Sequence, residues 1–145
     1  MLSSYSIDNN EAEDVNTLSL GPDFTDMICL THSEVYQILA NKIHSSNRTS
    51  SYSKTLEYLK RFSPAEEEKC AVTTELRQAL ESYERRTEKG MQSLHPYEIV
   101  SLCDLMQTDS TVDEAIALIP SLSRRFNEND IESMLELVRK SYASR

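Results

Sequence analysis

Three histidines, three cysteines and one run of carboxylates are the side chains with which this chain could do acid–base, nucleophilic or metal chemistry. A structural or catalytic metal needs its Cys and His ligands in tight clusters, such as CxxC, so that one turn presents two donors at once. Cys29, Cys70 and Cys103 lie far apart, no CxxC occurs, and His32, His44 and His95 belong to no Cys/His cluster. Each histidine sits near a helix end, and His95 beside Pro96 reads as a helix-start residue rather than a general base. Glu66–Glu68 falls in the first turn of an expected helix, where the helix dipole favours negative charge. It therefore reads as a solvated face rather than a paired acid and base. Cys103 lies on an apolar stripe, which suits a buried structural thiol better than a nucleophile. No glycine-rich phosphate loop and no G-x-S-x-G elbow is present. The expectation is no catalytic residue, no metal, no cofactor and no small-molecule substrate, which leaves an interaction module.

Composition narrows the class further. The 145 residues can enclose one real core, and only two glycines and four prolines interrupt them. So few breakers argue for helices over a turn-rich β fold. Net charge is −9, and residues 1–26 carry six carboxylates and no lysine or arginine. An acidic chain without a basic stripe makes a poor stand-alone binder of nucleic acid, because phosphate contacts need clustered cations. An odd number of scattered cysteines fits a reducing compartment. No basic-then-apolar leader opens the chain, and no apolar run approaches the roughly 18 residues of a membrane span.

The elements follow from caps and apolar spacing. Residues 1–16 read as an acidic disordered tail. Residues 17–26 read as an extended arm: Leu18 and Leu20 alternate with polar neighbours until Gly21-Pro22 breaks the run. With no second strand expected in the chain, such an arm either adds to a partner's sheet or lies on its own helices. Residues 27–145 then read as about six helices in an all-α, compact bundle. Thr31 with Glu34 and Thr111 with Glu114 have capping-box spacing, and Ser63-Pro64-Ala65-Glu66 is a further start signal. The first helix carries an apolar face of Val35, Ile38, Leu39 and Ile43, open either to the chain's own core or to a partner, and the second places Tyr52, Leu56, Leu59 and Phe62 on one side. A third carries Val72, Leu76, Ala79, Leu80 and Tyr83 and runs through "ERRTEKG" to a stop at Gly90. Further stripes are Ile99, Leu102, Cys103 and Met106, then Val112, Ala115, Ile116 and Ile119. Pro120 ends the second of these, having no N–H and disfavouring helical geometry at Ile119. Asn127 caps a last helix bearing Ile131, Met134, Leu135, Val138 and Tyr142.

Six segments, in order, carry a family likeness: "LSLGPDF", "LTHSEVYQIL", "KTLEYLKRF", "LHPYEIVSLCDL", "DEAIALIPSL" and "NENDIESMLELV". Together they resemble the stalk subunit of eukaryotic RNA polymerase II, its fourth-largest subunit, a family with a counterpart in archaeal RNA polymerase. The likeness spans about Leu18 to Val138. It implies a helical domain of the helicase-and-RNase-D-C-terminal (HRDC-like) type, in which "LIPSL" joins two short helices. Leu118, Ile119 and Leu122 would stay on the core across that corner, with Phe126 a further anchor. The archaeal counterpart and the polymerase III equivalent generally lack this segment, so it favours polymerase II. Tyr97 departs from the family, which more often has phenylalanine there.

The resemblance also implies partners and place. Such a subunit pairs with the seventh polymerase subunit, which carries an OB fold, and joins the polymerase core beside the RNA exit channel. Nascent RNA is met indirectly, through the partner, and the location is the nucleus. Leu18, Leu20, Pro22 and Phe24 would face the partner, together with Val35, Ile38, Leu39 and Ile43 of the first helix and Leu56 and Leu59 of the second. The rival readings are a polymerase III paralogue and a free-standing HRDC-like nucleic-acid-binding module.

Overall fold

A computed structural model describes residues 13–41, 49–62 and 67–143. The acidic residues 1–12, Ile43, His44 and the start signal at Ser63–Glu66 lie outside the described residues. Among those described, seven α-helices and one small hairpin form the helical bundle expected from the sequence.

The arm differs from one continuous strand. Residues Val15–Thr17 and Pro22–Phe24 form two single 3-10 turns. Asp14 and Ser19 close a loop on themselves, N–H to O at 2.8 Å one way and 3.0 Å the other. Local turn chemistry outcompetes the alternation of Leu18 and Leu20. The Asp14 carboxylate accepts from the Asn16 N–H at 3.0 Å, and the Thr17 hydroxyl donates to the Asp14 carbonyl at 3.0 Å. Such side-chain bonds to nearby backbone favour turns over strands. Leu18 ends the first turn at φ 60°, and Gly21 takes φ 87°, a conformation that costs glycine little.

Helix α1, His32–Asn41, starts with the expected capping box. Glu34 Oε2 accepts from the Thr31 N–H at 2.7 Å, and Thr31 Oγ1 accepts from the Glu34 N–H at 3.2 Å. It packs on α2, Ser50–Phe62, and the Tyr52 hydroxyl donates to the Leu39 carbonyl between them. Helix α3, Glu67–Glu81, stops well short of Gly90. Strands β1, Glu84–Thr87, and β2, Gly90–Ser93, then form an antiparallel hairpin in which Thr87 pairs with Gly90. Between α3 and the hairpin, Tyr83 is buried in the core and donates its hydroxyl to the Asp130 carbonyl at 3.0 Å. Gly90 sits at φ 99° in the tight turn rather than at a helix end.

Helix α4, Pro96–Leu105, and α5, Val112–Leu118, are followed by one short turn of helix, α6, Leu122–Arg125, and by α7, Glu128–Ala143. The core draws on α3 to α7 and the segments joining them: Leu76, Leu80, Leu102, Ile119, Leu122, Ile131, Met134, Leu135 and Val138 are all at most 1% exposed. Among the described side chains, none of the arm, α1 or α2 enters that cluster. The described chain thus has a C-terminal lobe around one apolar core and a smaller N-terminal lobe resting on it.

The "LIPSL" corner is packed as expected, with one correction. Ile119, Leu122 and Phe126 are buried, but Leu118 is 52% exposed. At roughly 100° per residue, the stripe of Val112, Ala115, Ile116 and Ile119 turns Leu118 away from the core.

Candidate partner-binding surface

Polar contacts help to hold the N-terminal lobe on α3. Arg77 on α3 is the pivot. One guanidinium nitrogen donates to Glu34 at 2.6 Å, a second to the Cys29 carbonyl at 3.0 Å, and Nε to Glu81 at 3.0 Å. The same Glu34 carboxylate caps α1, so the helix start and its attachment share one group. Beside it the His32 N–H donates to both Asp104 oxygens at 3.2 Å. Burial pushes the Asp104 carboxyl above the usual carboxylate range, and His32, through its ring and its backbone N–H, pulls it part of the way back. Burial also pushes the neighbouring Cys103 thiol up to about 12, with the Asp104 charge adding to it. Cys103 is thus a thiol at neutral pH and a poor nucleophile.

Replacing Arg77 with alanine is expected to loosen this attachment selectively. Charge-assisted bonds to a half-buried carboxylate are worth about 1–3 kcal/mol. Hydrogen exchange in α1 should rise about tenfold or more, while α4 to α7 keep their protection. Equal loosening of both lobes would contradict the pivot role.

The side chains expected to face a partner divide by environment. Pro22 is exposed, Phe24 is 48% exposed and Ile38 45% exposed. Leu18, Leu20, Val35, Leu39 and Leu56 are half-buried. Leu59 is only 3% exposed and packs inside its own chain. The structure does not gather the set into one place. Leu18 lines a small recess with Ser121, Arg124 and Arg125 of the C-terminal lobe, whereas the helical members lie on α1 and α2. Sequence reasoning passed over the linker "MICL" before α1. There Met27 is 57%, Ile28 80% and Leu30 43% exposed, and Tyr58 on α2 is 52% exposed. Of ten exposed large apolar side chains among the described residues, seven fall between Val15 and Tyr58. Their concentration on the smaller lobe is what an assembly surface requires.

A second group missed from the sequence is Glu98, fully buried in α4. It accepts from the Ser121 hydroxyl at 2.7 Å and from the His95 N–H at 2.9 Å, and it pairs with Arg125. Arg125 also donates to the Ser93 carbonyl at 2.7 Å, while its buried Nε has no partner among the described residues. The network ties α4, the "LIPSL" corner and β2 together. His95 itself is a cap, its Nδ1 accepting from the Tyr97 N–H at 3.1 Å. Among the described residues no cluster of His, Cys, Asp or Glu has metal-binding geometry, and no helix is long and apolar enough to cross a membrane.

A small helical bundle, with polar groups engaged in caps and lobe attachment and most of its exposed large apolar groups on one lobe, has the surface of an assembly module. Residues 29–142 match the family model of RNA polymerase Rpb4, and the chain belongs to that family. It is a stalk-type subunit of a DNA-directed RNA polymerase, from a non-catalytic family that associates with the polymerase core. A comparison with curated proteins finds no match.

Proposed function

We propose that this chain is the polymerase II form of the stalk subunit. It pairs one to one with the OB-fold seventh subunit beside the RNA exit channel, in the nucleus. There it supports initiation, elongation and the recruitment of processing factors. The observation that carries the pairing is the concentration of exposed apolar side chains on the N-terminal lobe. Phe24 and Ile38 of the expected set are joined in it by Met27 and Ile28. In this reading Pro22 and the half-buried Leu20, Val35, Leu39 and Leu56 support that surface, while Leu18 lines the recess beside Ser121, Arg124 and Arg125. The "LIPSL" corner favours the polymerase II form, and the acidic charge suits a subunit whose partner meets the RNA.

Ile28, the most exposed of these groups, gives the test. Ile28→Asp places a charge where a partner would exclude water, and an interface anchor of this kind carries about 2 kcal/mol or more. Affinity for the seventh subunit should fall about thirtyfold or more, with an unchanged circular dichroism spectrum. Leu59→Ala should instead lower the melting temperature. Unaltered pairing by Ile28→Asp would remove this surface from the interface.

A further inference from the structure

The C-terminal lobe carries a cleft with a charge opposite to that of the whole chain. It lies between the turn of the hairpin and α6, encloses about 510 Å³, and is lined by Arg86, Lys89 and Arg124 with Glu88 and Asp130. The state of its arginines sets it apart. Arg61, Arg77, Arg85, Arg125 and Arg139 all have a carboxylate partner. Arg86 and Arg124 have none among the described residues, and both line this cleft. The Lys89 ammonium donates to the Arg124 carbonyl at 3.3 Å, which fixes the hairpin turn over α6 and brings a third cation to the same wall. In a chain of net charge −9, leaving the two unpaired described arginines together is a local build-up of positive potential.

We propose that this cleft binds a phosphorylated serine or threonine in a peptide segment of a partner protein. A phosphoryl group brings nearly two negative charges and three acceptor oxygens, which match two guanidinium forks and an ammonium. The volume falls in the range of about 300–1,000 Å³ typical of ligand sites. Single-stranded nucleic acid fits less well. It needs exposed rings on which bases stack, and a basic track longer than one phosphate. The aromatic ring at the cleft, Phe126, is only 5% exposed. Glu88 and Asp130 line the same cleft, where they would repel a continuing phosphate backbone. They leave room for one phosphate and can accept from peptide N–H groups beside it. The site lies on the C-terminal lobe, and Arg124, which lines it, also borders the recess that holds Leu18 of the arm.

The test uses the full chain and peptides of roughly nine residues, each with one central phosphoserine and degenerate flanks. The comparison probes are the same pool with serine at the centre and single-stranded RNA of equal length, read by fluorescence anisotropy. The phosphorylated pool should bind about tenfold or more tightly than either comparison probe. Arg86→Gln combined with Arg124→Gln should abolish that preference without changing the melting temperature. Should that pair misfold, Lys89→Gln, on the exposed turn, is expected to weaken the phosphopeptide about threefold. Equal binding of the two peptide pools would overturn the proposal, as would tighter binding of RNA or full retention of the preference in the variants.

Discussion

Glu98→Ala is expected to be among the most damaging single substitutions in the chain, costing about 3 kcal/mol or more of stability. Glu98 is wholly buried, and its carboxylate is shared by the Arg125 guanidinium, the Ser121 hydroxyl and the His95 N–H. Alanine leaves all three donors facing one cavity. The Arg125 side chain is 24% exposed and can lean toward water, which holds the loss near the lower end of the range for broken buried pairs. The lost cap on α4 adds about 1 kcal/mol. Against a total of about 5–15 kcal/mol for a domain, the melting temperature should fall by about 10 °C or more. Glu98→Gln keeps the shape and can still accept from Ser121, so about half that loss is expected. Urea denaturation of the three proteins decides the matter, and a cost below about 1 kcal/mol for Glu98→Ala would show that the network contributes little.

The second large effect separates neighbours. Ile119→Ala is expected to cost about 2–4 kcal/mol, and Leu118→Ala about 0.5 kcal/mol or less. Both residues precede Pro120 in the same apolar run, but Ile119 is fully buried and Leu118 is 52% exposed. The difference comes from cavity formation, since removing a wholly enclosed side chain leaves space the corner cannot refill. Equal costs for the two substitutions would mean that the corner turns differently from the geometry described.

These two sites also show what was legible in the sequence. The helices with strong caps and clear stripes read directly: Thr31 with Glu34, Thr111 with Glu114, and Asn127, whose Oδ1 accepts from the Asp130 N–H at 2.8 Å. Caps and periodicity are local, so one sequence suffices to see them. The hairpin at Glu84–Ser93 was not legible because it has no apolar face; most of its side chains are exposed, and charged residues with helical propensity fill it. Just past the end of α3, Tyr83 donates to the Asp130 carbonyl, a contact 47 residues away that local patterning does not show. The buried network of Glu98 was hidden for another reason: its bond to the His95 N–H is local, but Ser121 and Arg125 lie 23 and 27 residues away. The candidate surface was half legible. An apolar stripe says that a side chain leaves water without saying whether its own chain or another covers it, and so Leu59 and Ile38 read alike.

The central claim is that the N-terminal lobe is a pairing surface. It is tested most directly by co-expressing this chain with the seventh polymerase subunit and measuring hydrogen exchange on the purified product against the chain alone. A stable one-to-one complex is expected, with new protection over Phe24–Leu30 and α1 and little change in α4 to α7. A well-folded monomer whose exchange is indifferent to that subunit would contradict the account.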